Sequence, residues 1–171
     1  KRQVSHAKEK GIKGITLTLE QLLEKDYLKT GEGRKLVEEV TSTCGREGVC
    51  ILDTSSDREE VNRYLTRELI PLEEARVYIA DRISEILECV MDTGVIPTIM
   101  VIGGDTLIHF VRKMKCRQIS LLYELEKGVV YSSMRSKGRT LKVISKSGGF
   151  GEEDLLIRLI GMAKESEEGI L

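Results

Sequence analysis

Two glycine-rich segments carry the residue types that could bind an anionic ligand. The first, Gly103-Gly104-Asp105-Thr106, follows the strand-like run 98–102, and the second, Lys146-Ser147-Gly148-Gly149-Phe150-Gly151, follows the strand-like run 140–145. Each is followed by residues with the apolar spacing of a helix. Glycine lets the backbone approach a ligand closely, and free N–H groups at the start of a helix favour negative charge. Together the two segments predict an anion-binding cleft.

The first segment, Gly103 to Thr106, has two interpretations that its residues leave open. It could be a tight connection between a strand and a helix, with Asp105 or Thr106 as the helix cap. Alternatively, the glycines admit a phosphate, and the Thr106 hydroxyl and the first amides of the helix donate to it. Asp105 would repel a bare phosphate, so in that case we expect it to hold Mg²⁺ or a ribose hydroxyl.

The second segment combines a lysine, a hydroxyl and a series of backbone amides, which together favour phosphate binding. Its glycines at 148, 149 and 151 cost conformational entropy, roughly 0.5–1 kcal/mol each relative to alanine in regular structure. The alternative is a glycine-rich turn that carries a surface lysine. The spacing matches neither the G-x-x-x-x-G-K-[ST] phosphate loop nor the dinucleotide fingerprint.

Other motifs are weaker. Gly31-Glu32-Gly33 lacks a preceding strand and a third glycine, so it favours a linker over a nucleotide loop. His109 lies on the apolar face of a short helix, which favours packing over catalysis. The segment Asp53-Thr54-Ser55-Ser56-Asp57 ends a strand, where open α/β sheets bind ligands, but helix capping by Asp57 is the favoured explanation. Neither a G-x-S-x-G elbow nor an H-E-x-x-H motif occurs in the sequence.

These motifs need a scaffold of strands and helices. The hydrophobic pattern predicts strands over 14–19, 49–52, 98–102, 119–125, 129–134 and 140–145. The apolar run 49–52 is typical of a strand buried on both faces. Helices are expected between the earlier strands, the longest between Pro71 and Gly94, and a final helix follows the second glycine segment. The last three strands are joined by turns short enough to make them antiparallel neighbours. We therefore predict a three-layer α/β domain with a mixed, mostly parallel sheet and an antiparallel portion near the C-terminus.

Composition bounds the function further. The chain has 171 residues, of which 40% are hydrophobic and 32% charged, and this suits one globular domain over 1–171. Its net charge of −1 provides no basic surface that would attract nucleic acid. Since no apolar run reaches the roughly 20 residues that span a bilayer, we expect no membrane partner. The four cysteines show no C-x-x-C spacing, which favours reduced thiols and a cytoplasmic location. The first residue is Lys1, so we expect a piece of a longer protein.

Taken together, these segments resemble the C-terminal nucleotide-binding domain of the four-carbon acid sugar kinases, formerly a family of unknown function. The resemblance begins at Gln3-Val4-Ser5-His6-Ala7-Lys8 and Ile15-Thr16-Leu17-Thr18 and ends at the second glycine segment, so it covers nearly the whole chain. One departure is clear. Where the family shows E-x-x-P-G-x-P, this chain has Glu124-Leu125-Glu126-Lys127-Gly128-Val129-Val130. Loss of both prolines should loosen this hairpin or let its strands pair further.

The resemblance implies binding of ATP with Mg²⁺ by Gly103 to Thr106 and by Lys146 to Gly151. It also implies phosphoryl transfer to a threonate, erythronate or 3-oxo-tetronate type of substrate, held by an N-terminal domain outside this sequence. We accordingly expect this domain to bind ATP or ADP without turnover, and leave a homodimer open. The alternative from another class is a non-catalytic α/β module that binds a nucleotide or a phosphorylated metabolite, or only mediates assembly.

Overall fold

Helices and short strands alternate along the chain, as the apolar spacing predicts. The computed structural model describes residues 1–54 and 58–167. The elements are α1 (Arg2–Glu9), β1 (Gly14–Thr16), α2 (Leu19–Leu23), a 3-10 helix (Tyr27–Lys29), α3 (Gly31–Glu47), β2 (Ile51–Asp53), α4 (Arg58–Arg67), α5 (Leu72–Asp92), β3 (Thr98–Ile102), α6 (Gly104–Lys113), β4 (Gln118–Glu126), β5 (Val129–Ser136), β6 (Arg139–Lys146) and α7 (Leu155–Glu167). In this part of the chain no helix is both long and apolar enough to cross a bilayer.

The strands form two sheets. β1 and β2 pair in parallel, and a second sheet has the order β3-β6-β5-β4. Within it β3 and β6 are parallel, whereas β6 with β5 and β5 with β4 are antiparallel. The β5–β6 turn places Lys137 and Gly138 at φ of 48° and 77°, the positive angles that a type I′ hairpin requires. The antiparallel portion predicted near the C-terminus is thus confirmed.

The four-stranded sheet lies between helices on both faces. One face packs on α5 and α6 through Met91, Ile99, Val101, Phe110, Met114, Met134, Leu141 and Val143. The other face packs on α7 through Val129, Tyr131, Ile144, Leu155 and Leu159. A third core joins α3 and α5 to the β1 region through Leu17, Leu22, Tyr27, Leu36, Val40, Ile86 and Val90. This arrangement confirms the predicted α/β fold class.

Two local predictions need correction. The strand predicted over 49–52 is Ile51–Asp53 and is half-buried, because among the described residues it pairs with β1 alone in a two-stranded sheet. Gly31 to Gly33 form the first turn of α3 instead of a linker, and the Thr30 hydroxyl caps that turn by accepting from the Gly33 N–H at 3.0 Å. The capping role predicted for Asp57 lies outside the described residues.

Candidate functional site

The two glycine segments lie side by side at one edge of the four-stranded sheet. Ile102, the last residue of β3, is in register with Lys146, the last residue of β6. The Gly103 N–H donates to the Lys146 carbonyl at 3.0 Å and continues the ladder into both turns. Since parallel strands end at the same edge, the topology brings together segments that are about forty residues apart in sequence.

The first segment forms an uncapped helix start. Gly103 is the N-cap of α6 at a φ of 110°, a left-handed value that favours glycine, and no side chain in the described part of the chain caps the helix. Neither Asp105 nor Thr106 caps it among the described residues, so the predicted capping role of these two side chains is wrong, while the choice between a plain connection and a ligand-binding turn stays open. The N–H groups of Gly104, Asp105 and Thr106 precede the first intrahelical bond, in which Leu107 donates to Gly103. This helix start therefore presents donors and the positive end of a dipole.

The second segment is an exposed loop whose glycines have different surroundings. A Cβ built on Gly148 or Gly149 meets no atom within 4 Å, so the space beside both backbones is open. Gly151 instead has a φ of 95°, and a Cβ there would lie 2.1 Å from Leu155 Cδ2. Within the described residues, the N–H groups of 148, 149 and 151–153 have no hydrogen-bond acceptor. Gly148 and Gly149 thus leave room for a ligand, and Gly151 gives the loop its shape.

Lys146 is buried, with 3% of its surface exposed. It lies opposite Val129 on the face covered by α7. Its Nζ donates to the carbonyls of Ser147 at 2.8 Å and Gly148 at 3.1 Å, and burial lowers its pKa. The ammonium group therefore binds the loop itself. The predicted contact with phosphate stays a prediction, and it would require the side chain to leave these carbonyls.

The β4–β5 hairpin forms a wall beside the second segment. A Cβ on Gly128 would lie 3.6 Å from the Phe150 ring and 3.8 Å from Ser147 Oγ. β4 and β5 pair as far as Glu126 and Val129, leaving only a two-residue turn. The expectation that loss of the family's prolines loosens this hairpin or lets its strands pair further stays a prediction. The Gly128 N–H also donates to the Glu124 carboxylate at 2.8 Å.

One contact with the loop was not anticipated from the sequence. The Gln3 side-chain amide, in the first turn of α1, lies 3.0, 2.9 and 2.8 Å from the carbonyl oxygens of Phe150, Gly151 and Glu152. Gln3 stands in the segment that carries the family resemblance, but no local pattern links it to residues almost 150 positions later.

The remaining candidates lie in ion pairs. His109 Nδ1 is 2.5 Å from the Asp81 carboxylate, which joins α6 to α5 and agrees with a packing role. At the ends of β1 and β2, Lys8 Nζ lies 2.5 Å from Asp53 and donates to the Thr16 hydroxyl at 2.9 Å. Since 55–57 lie outside the described residues, a ligand role for Asp53 to Asp57 stays a prediction.

A mixed α/β fold with adjacent glycine turns at the ends of parallel strands is typical of nucleotide-binding domains. The chain belongs to the family of nucleotide-binding C-terminal domains, whose family model matches residues 1–156. This confirms the family resemblance recognised from the sequence. No curated protein has a significant sequence match to this chain.

Several solved structures share the fold. A Haemophilus influenzae protein of the DUF1537 family model has a TM-score of 0.74 at 17% identity, over 94% of this chain and 37% of that chain. A Bordetella bronchiseptica DUF1537 domain with bound citrate, a domain-swapped dimer, has a TM-score of 0.68 at 21% identity, over 93% of this chain and 36% of that chain. A putative tRNA synthase from Salmonella typhimurium LT2 has a TM-score of 0.62 at 16% identity, over 92% of this chain and 36% of that chain. This chain therefore spans about a third of the length of these neighbours.

Proposed function

We propose that this chain is the ATP-binding domain of a kinase that phosphorylates a four-carbon acid sugar. ATP with Mg²⁺ would bind across Gly103 to Thr106 and Lys146 to Gly151. The acid sugar, of the threonate, erythronate or 3-oxo-tetronate type, would be held by a domain outside this sequence. The observation that carries the proposal is the pairing of the two glycine segments in register at the ends of β3 and β6.

The residues at this edge fit a nucleotide polyphosphate. The positions that a Cβ would fill at Gly148 and Gly149 are open, and the amides beside them have no acceptor among the described residues. The α6 start adds uncapped N–H groups from the other side. Phosphate oxygens are suited to such donors because each can accept several hydrogen bonds.

In this proposal ATP supplies the phosphoryl group, and the protein supplies position and charge neutralisation. The amides of Gly148 and Gly149 and those at the α6 start would hold phosphate oxygens. The Thr106 hydroxyl would add one donor. The exposed Asp105 carboxylate would hold Mg²⁺, which prefers carboxylate oxygen ligands. Lys146 would stabilise the loop by binding its carbonyls.

Thermal unfolding with Mg-ATP, Mg-ADP and NAD tests this assignment. At about 100 times Kd a ligand adds roughly 2.7 kcal/mol, which for a domain of this size raises Tm by roughly 5–10 °C. We expect ATP and ADP to raise Tm and NAD to leave it unchanged. Gly149→Val should abolish the rise, whereas Gly161→Val, at an exposed glycine of α7 with equally open surroundings, should retain it. The absence of any rise with ATP and ADP would contradict the proposal.

A second candidate is a module that binds a nucleotide without supporting transfer. It is favoured by Lys146, whose ammonium group is buried and bound to its own loop instead of facing an open cleft. Both candidates predict nucleotide binding, so the discriminating assay is phosphoryl transfer. The full-length protein, incubated with Mg-[γ-³²P]ATP and a panel of four-carbon acid sugars, should label a sugar only if the kinase proposal holds.

We further propose a homodimer formed through β4, the exposed edge of the four-stranded sheet. Leu121 is 74% exposed there, and Ile119, Leu122 and Tyr123 are 43–46% exposed. Antiparallel pairing of two copies would bring Arg117, which directly precedes β4, towards Glu124 of the other copy's strand. Sedimentation should show a dimer that Leu121→Lys dissociates and Leu69→Lys, an equally drastic change at another exposed leucine, does not. A dimer unaffected by Leu121→Lys would exclude this interface.

A further inference from the structure

Three backbone carbonyls of the second glycine segment converge on one side chain. The Gln3 Nε2 atom lies within 2.8–3.0 Å of the carbonyl oxygens of Phe150, Gly151 and Glu152. The Glu152 carbonyl also accepts from the Leu155 N–H at 3.2 Å, at the start of α7. A Cβ added to Gly151 would lie 3.3 Å from Gln3 Nε2, so the glycine also permits this approach.

This convergence sets the direction of the neighbouring N–H groups. In a planar trans peptide the N–H points opposite to the C=O of the same unit. Carbonyls of 150–152 that face Gln3 therefore direct the N–H groups of 151–153 away from Gln3. Those N–H groups have no acceptor among the described residues. An anion on that side of the loop would meet donors instead of carbonyl oxygens.

The Gln3 amide also changes the electrostatics of the loop. Its NH₂ group places partial positive charge against three carbonyl oxygens whose negative charge would otherwise repel a phosphate. Lys146 acts in the same sense on the carbonyls of Ser147 and Gly148. The carbonyls of 147, 148 and 150–152 are thus bound by two side chains from outside the glycine positions.

We propose that Gln3 is a positioning residue for nucleotide binding: it holds the carbonyls of 150–152 so that the N–H groups of 151–153 face the phosphates beside those of Gly148 and Gly149. The inference rests on the proposed function. It assigns to α1 a role in shaping a site that lies almost 150 residues further along the chain.

The first test is loop order without nucleotide. Backbone order parameters of 148–153 should fall from values near those of rigid backbone, about 0.85, towards those of flexible segments, below about 0.6, in Gln3→Leu. Gln3→Glu, which places an acceptor among three carbonyls, should do the same. Gln3→Lys restores a donor of sufficient reach and should restore order. Ser5→Leu, at an exposed position of the same helix, is the matched control.

The second test is Mg-ATP affinity of the same variants by titration calorimetry. Loss of the hydrogen bonds of Gln3 should weaken binding about tenfold in Gln3→Leu. Affinity within twofold of a wild type that does bind Mg-ATP would overturn the role of Gln3, even if the loop became mobile. Unchanged order parameters in Gln3→Leu would overturn it whatever the affinity. A wild type that binds no Mg-ATP would instead reject the proposed function, and with it the positioning role.

Discussion

Gly151→Ala should destabilise the fold, because this glycine is required by conformation and by space. At a φ of 95° an alanine is strained by roughly 1–2 kcal/mol. Its Cβ would lie 2.1 Å from Leu155 Cδ2, in the core beneath α7, and displacing a packed side chain costs roughly 1–3 kcal/mol. Replacing glycine also restricts the unfolded chain, which stabilises the fold and offsets about 0.4–1 kcal/mol of this loss. We expect a net loss of about 3 kcal/mol, within a range of about 1–4.5 kcal/mol.

Urea unfolding followed by circular dichroism measures this loss directly, and Tm should fall by roughly 5–10 °C for a chain of this size. Gly149→Ala is the matched control. Its Cβ enters open space at a backbone conformation outside the left-handed region, so stability should change by less than about 0.5 kcal/mol or increase slightly. A loss of stability below about 0.5 kcal/mol in Gly151→Ala would refute the claim that Gly151 determines the shape of the loop whereas Gly148 and Gly149 leave open space.

Three further predictions follow from single residues. Gly33→Ala should cost about 2–4 kcal/mol in urea unfolding, since its Cβ would lie 2.2 Å from the Tyr27 carbonyl oxygen, whereas Gly31→Ala, in open space, should be nearly neutral. Burial lowers the Lys146 pKa below its usual 10.5, so the unfolded state binds more protons between the two pKa values and stability rises with pH there. The unfolding free energy of the wild type minus that of Lys146→Met should therefore increase as pH rises towards 10.5, and a flat or falling difference would contradict this. Asp105→Asn should weaken binding of Mg-ATP more than binding of ATP in EDTA, and equal weakening would contradict the proposal that Asp105 binds Mg²⁺.

Much of the fold could be predicted from the sequence because local patterns determine it. The strand-like runs 98–102 and 129–134 and the short turns between the last strands matched the structure closely. The shared strand–glycine–helix pattern predicted that the two glycine segments form one cleft, and the ends of β3 and β6 bring them side by side. Each of these features depends on residues that are close in sequence or on general topology.

What the sequence could not provide depends on long-range packing. The strand-like run 140–145 predicts a strand that ends near Lys146, but it does not show on which face of the sheet Lys146 lies. It also does not show that α7 covers that face. Gly33 looked like part of a linker, because only the fold brings the Tyr27 carbonyl against it. Gln3 gave no local signal either, since its three acceptors belong to a loop at the other end of the chain. In each case the contact joins two segments whose relative position cannot be predicted from the residue pattern within either segment.

The most direct measurement of the proposed site is a titration of the ¹⁵N-labelled chain with Mg-ATP, followed by backbone amide shifts. We predict saturable shifts that are largest at 103–106 and 147–153, and their loss in Gly149→Val with the rest of the spectrum preserved. Saturable shifts concentrated elsewhere, for example along β4, or the absence of saturable shifts at both glycine segments, would contradict nucleotide binding at this edge of the sheet.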